Sequence, residues 1–344
     1  MAAAAIAVLD RQGLAALVAR LVADDRTVVG PAIRDGAVVL AELASADELP
    51  FGWGVELDTG RHRLTPRQDG AVFAHSAGPQ SWKAFLHPQR EQLWSARRGA
   101  DGVPVFTETR PEPPAYAFLG VRTCDLRAIA VQDPVLAGGP PPALGSARAG
   151  DIPSPDRGHR QRRMGALPIA AEFTEPGATR FCVSADGGPA ADVPRLLDGV
   201  PHRSADLTTG SVAPGAVDSA RERVGRSLPP PGLRALLGES PAAERWQRWD
   251  SCVDLGFSLL HGRPVRASAR SRCRQWLTPK LSTWHDQFGS GGCVGCRRCI
   301  AWCPAGSDFT EEVAVLAAER DAAADDRHMA HDDGSAHYDR GPQP

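Results

Sequence analysis

Four of the eight cysteines fall within eleven residues: Cys293, Cys296, Cys299 and Cys303, with Pro304 directly after. This is the C-x2-C-x2-C-x3-C-P spacing of bacterial ferredoxins. Two intervening residues let successive thiolates curl around one 4Fe–4S cubane, and Gly295 relieves the tight turn that such wrapping needs. Thiolates suit the task because cluster iron takes soft, anionic sulfur. Structural zinc usually recruits two separated Cys-x2–4-Cys hooks. A c-type haem needs a histidine directly after the second cysteine, where Arg297 stands. The pattern predicts an iron–sulfur site that passes electrons, and no catalytic residue.

The fourth ligand is open at this level. In two-cluster ferredoxins the last cysteine of each run serves the other cluster. A single run therefore offers three ligands of its own, Cys293, Cys296 and Cys299. Either Cys303 turns inward as the fourth, or Cys252 or Cys273 completes the set. Arg297 and Arg298 lie inside the ligand loop and are expected to raise the reduction potential, because reduction adds negative charge. His328, His331 and His337 in the acidic tail read as solvated residues rather than ligands. Gly138-Gly139 and Gly187-Gly188 match neither a phosphate loop nor a dinucleotide fingerprint.

The elements that must position this run come from 344 residues, enough for two domains. A formal net charge of −2 gives no sign of a nucleic-acid surface. No apolar run approaches the roughly 20 residues needed to span a bilayer, and residues 1–9 lack the basic start of a signal peptide. A soluble, cytoplasmic protein with no membrane span is expected.

Residues 1–228 read as an α/β domain. A helix should run from about Asp10, its N-cap, to Val22, with Leu14, Leu17, Val18, Leu21 and Val22 on one face. Short strands are expected at 27–29, 37–40, 70–73, 116–121 and 181–183, with a helix from about 126. Residues 138–155 form a breaker-rich loop, and 183–212 carry little pattern. The triple proline at 229–231 marks a linker. Beyond it, 233–324 should be an α-helical, ferredoxin-like cluster domain, with helices at 244–260 and 270–288, the second kinked at Pro279. Asp308 and Glu311 would cap a last helix, and 325–344 should be a disordered tail.

Several stretches beyond the cysteine run carry a likeness: RWQRWDSC (245–252), HG (261–262), SRCRQW (271–276) and TWHDQF (283–288). Upstream, FLGVRTCDL (118–126), TEPG (174–177) and FCVS (181–184) add to it. Together they resemble the beta subunit of NiFe hydrogenase/sulfhydrogenase complexes and the corresponding subunit of anaerobic sulfite reductase, a family of 4Fe–4S dicluster proteins. The resemblance implies an electron relay that links a flavin/nicotinamide-binding subunit to a catalytic subunit with a NiFe or sirohaem centre. Where the family carries a first cysteine run, upstream of Trp246, this chain has none. Phe173 and Arg180 stand where two further cysteines would be expected, leaving Cys124 and Cys182, which read as unligated. Arg297 replaces a residue that is usually small. The implied protein is a reduced member with one 4Fe–4S cluster; the alternative is a non-redox scaffold whose run holds zinc or an incomplete cluster.

Overall fold

The computed structural model describes residues 9–76, 78–109, 112–136, 156–171, 181–182, 242–251, 253–315 and 318–319. The expected loop at 138–155, the pattern-poor stretch at 183–212, the linker at 229–231, the tail and Cys252 lie outside the described residues.

Helix α1 (Arg11–Ala23) starts where Asp10 predicts, its carboxylate accepting the Gly13 N–H at 2.7 Å. It buries Leu14, Val18 and Leu21, with Leu17 half-buried, whereas Val22, expected on the same face, is exposed. The partner is a four-stranded sheet in the order β2-β1-β7-β8, with β1 Arg26–Arg34, β2 Ala37–Glu42, β7 Ala115–Val121 and β8 Leu167–Ala170. Strands β1 and β2 form an antiparallel hairpin, whereas β7 runs parallel to both β1 and β8. Between β2 and β7 lie the hairpin β3 (Trp53–Asp58) and β4 (Arg61–Pro66), the short helix α2 (Lys83–Leu86), β5 (Arg90–Arg98) and β6 (Pro104–Glu108).

Alternation along the two central strands divides the core. Val28 and Ala32 of β1 and Ala117 and Leu119 of β7 pack beneath α1, with Leu43, Ala46 and Leu49. Val29 and Phe118 face the other way, onto Trp82, Leu86, Leu126 and Ile129. The β7–β8 register slips between Leu119 and Val121, and Val121 joins this second face despite sharing parity with Leu119. Helix α3 (Thr123–Leu136) follows β7 at once, so the end of this strand delivers Arg122, Cys124 and Asp125 to one place. Helix α4 (Arg157–Gly165), capped by Asp156, then leads into β8.

The sequence segment expected to be helical from 244 is instead strand β9 (Ala242–Arg248). It pairs antiparallel with β5 in a sheet ordered β6-β5-β9. Aromatic side chains are at ease on a pleated surface, and tertiary pairing outweighs helix propensity here. Arg90 lies over the Trp246 ring at 4.2 Å, and His87 stacks on Trp249 at 5.7 Å. Residues 70–73 are likewise not a strand, and neither are 181–182.

A two-residue ladder, β10 (Leu259–Leu260) with β11 (Arg263–Pro264), precedes helix α5 (Ala269–Thr278). Pro279 opens a π-helical turn, Pro279–Thr283, and helix α6 (Trp284–Phe288) completes the segment. The kink expected at Pro279 is thus a change of winding, which accommodates a residue without an N–H. Helix α7 (Arg298–Ala301) lies within the cysteine run, and residues 309–315 are helical, with Asp308 accepting the Thr310 N–H at 2.8 Å. Among the described residues no helix is long and apolar enough to cross a membrane.

Candidate metal centre

The cysteine run occupies the turn between α6 and residue 307, and its backbone is bent at two left-handed positions, Gly295 (φ 64°) and Arg297 (φ 58°). At Gly295 a Cβ would stand 2.6 Å from the N and Cα of Cys182 and 2.7 Å from the carbonyl carbon of Phe181. Backbone cannot yield as a flexible side-chain tip can, so this position admits glycine alone. Arg297 has the same conformation without that freedom, a cost on the order of 1–3 kcal/mol that its surroundings must offset.

Cys293, Cys296 and Cys299 are half-buried. Burial pushes the Cys299 thiol up to about 12, with Cys296 and then Cys293 adding to it. Burial also raises the Cys293 thiol, and Cys296 adds to that. Cys293 and Cys299, half-buried thiols that resist becoming thiolates, form with Cys296 a donor set that positive charge in its midst would satisfy. Iron would supply it, so the residues fit a cluster. Cys303 is different. Its thiol is lowered, first by the Ser307 N–H, 3.4 Å from Sγ, then by the N–H of Ala305. Hydrogen bonds of this kind favour the thiolate, the form that a metal takes.

Among the described residues no three His, Cys, Asp or Glu side chains converge closely enough for a single metal ion. A cubane carries its irons on separate corners and spreads its thiolates more widely than one ion does. Cys273 is exposed on α5, whereas Cys124 and Cys182 are buried. Cys182 abuts the ligand loop through its backbone.

Three attachments bind the run to the α/β layer. Arg298 donates through Nη2 to Asp125 Oδ1 at 2.7 Å and through Nε to the Gly78 carbonyl at 3.1 Å. Burial would lower this guanidinium, but Asp125 and then Cys296 overcome it, and the net shift is upward. Arg297, only 2% exposed, donates to Ser76 Oγ at 2.9 Å. On the other side the β3–β4 hairpin tip closes in. The Gly60 N–H donates to the Ile300 carbonyl at 3.0 Å, and the His62 ring sits 4.5 Å from that of Trp302. A Cβ on Gly60 would meet Cys303 O at 2.8 Å and Gly306 Cα at 2.9 Å.

The sequence singles out the two arginines but none of their partners. Ser76, Asp125, Gly60 and His62 stand more than 170 positions away, and no spacing rule links them to the run. The Asp125 neighbourhood had one signal, the Cys124-Asp125 pair directly after an apolar strand.

Residues 235–307 match the family described as 4Fe-4S dicluster domain, a span that contains β9 and all four cysteines of the run. No curated protein and no solved structure matches the chain. The attachments described above therefore hold a domain of the iron–sulfur dicluster type, a kind suited to electron transfer, against the α/β layer.

Proposed function

We propose that the chain is an electron-transfer subunit that carries one 4Fe–4S cluster on Cys293, Cys296, Cys299 and Cys303. The carrying observation is the cluster-type spacing of Cys293, Cys296 and Cys299, all three half-buried around the left-handed turn at Gly295. The cluster, when bound, supplies a one-electron carrier. The chain's own residues wrap it, limit its exposure and set positive charge beside it through Arg297 and Arg298. Cys303 completes the set as a thiolate pre-stabilised by its own turn. By the resemblance of the flanking motifs, the partners are a NiFe or sirohaem catalytic subunit plus a flavin/nicotinamide-binding subunit of a hydrogenase-like or sulfite-reductase-like complex.

Electron paramagnetic resonance of the anaerobically purified, dithionite-reduced chain tests the ligand set. Serine at Cys293, Cys296 or Cys299 is expected to abolish or convert the signal, and Cys303→Ser to leave a three-iron species or none. An unchanged signal in any of the four variants would remove that residue from the set. Loss of the signal in Cys252→Ala with Cys303→Ser intact would move the fourth ligand to Cys252.

A further inference from the structure

A tryptophan near a protein surface usually keeps its ring in apolar contact and turns the indole N–H toward water or a fixed acceptor. Two tryptophans beside the cysteine run do the opposite. Trp284 and Trp302 are each half-buried, yet the indole nitrogen of each is sealed from solvent and has no hydrogen-bond partner. The polar tip, not the ring, is the part turned inward. A buried donor without an acceptor is costly, and a fold that keeps two of them at one site calls for a reason.

Both indoles are fixed against the run. Trp302 stands between Cys299 and Cys303, its backbone N–H donating to the Arg298 carbonyl at 3.1 Å and its ring held 4.5 Å from that of His62 at the hairpin tip. Trp284 opens α6 with its ring 4.4 Å from that of Phe288, and it lies across Gly292, the residue before Cys293. A Cβ on Gly292 would stand 3.0 Å from Trp284 Cγ and 3.1 Å from both Lys280 Cα and the Pro279 carbonyl oxygen. Glycine there lets the loop close down on the indole. The two rings thus meet the run at its two ends, beside its first and its last cysteine. Trp246 behaves differently: it is 40% exposed and gives its indole N–H to Glu244 at 2.9 Å.

We propose that the indole N–H groups of Trp284 and Trp302 donate to inorganic sulfide of the cluster. The inference rests on the cluster assigned above to Cys293, Cys296, Cys299 and Cys303. Neither indole donates to a cysteine sulfur, which leaves the sulfides as the acceptors that the cluster brings. Reduction adds negative charge to these sulfurs, so each bond is stronger in the reduced state and raises the potential. The two tryptophans are positioning residues that tune the carrier without ligating it.

Phenylalanine at either position keeps a ring and removes the N–H. Iron and labile sulfide are measured first on the anaerobically purified parent, Trp284→Phe, Trp302→Phe and the control Trp246→Phe, and each is then titrated for its potential. Trp284→Phe and Trp302→Phe are each expected to shift the reduction equilibrium about fivefold to tenfold toward the oxidised form, tenfold being about 59 mV for one electron. The control is expected to stay with the parent. A second measurement needs no variant: with nitrogen-15 confined to the tryptophan indoles, pulsed electron paramagnetic resonance of the reduced parent is expected to show nitrogen-15 hyperfine coupling to the cluster. A parent without iron and sulfide overturns the cluster and this inference with it. A loaded parent without that coupling, or a loaded Trp284→Phe or Trp302→Phe whose potential matches the parent's, overturns the inference alone.

Discussion

Replacing Arg297 with glutamine removes one positive charge from inside the ligand loop while keeping a hydrogen-bonding side chain opposite Ser76. The magnitude depends on the medium. A unit charge at a separation on the order of 10 Å contributes about 0.4 kcal/mol in water but about 1.7 kcal/mol at an effective dielectric constant of about 20. For a one-electron couple, where a tenfold change is about 59 mV, these correspond to about 20 and 70 mV. Arg297 is 2% exposed, so the larger figure applies. The reduced form gains more from the charge than the oxidised form does, and losing the charge must lower the potential. A redox titration of Arg297→Gln beside the parent chain is expected to show a fall of about 50–100 mV. A potential that stays within about 20 mV, or rises, would refute the reasoning.

Two further substitutions probe how the run is seated. Gly60→Ala forces a Cβ against the backbone of Cys303 and Gly306 at a residue whose φ is +63°. It should cost about 2–4 kcal/mol in urea unfolding and lower the iron content, and a variant as stable and as iron-rich as the parent would show that the hairpin contact is dispensable. Arg298→Gln strands the buried Asp125 carboxylate and is expected to cost about 3–5 kcal/mol. Adding Asp125→Asn should restore part of that loss, and a double variant no more stable than the single one would contradict the pairing.

The α1 stripe, the β1–β2 pair and the strand before α3 were legible in the sequence because their signals are local: a cap, a period of 3.6, an alternation closed by a turn. The cysteine spacing is read from the sequence in the same local way, because the pattern that the proposed cluster would need lies within eleven residues. Strand β9 was not legible. Its tryptophan and arginines fit a helix as well as an edge strand, and only the pairing with β5, about 150 positions earlier, decides between them. The seat of the cysteine run was hidden for a similar reason. That Arg298 meets Asp125 and Gly60 meets Ile300 depends on how the chain returns to the α/β layer, which no window of neighbouring residues encodes. Arg297 shows the two levels together. The resemblance implies a small residue where Arg297 stands, and the left-handed φ of Arg297 is a conformation that glycine adopts with less strain.

The central claim rests on what the cysteine run holds, and iron and acid-labile sulfide analysis of the chain purified without oxygen measures that directly. The account predicts about four irons and four sulfides per chain. Stoichiometric zinc with no labile sulfide would contradict it and leave the chain a non-redox scaffold.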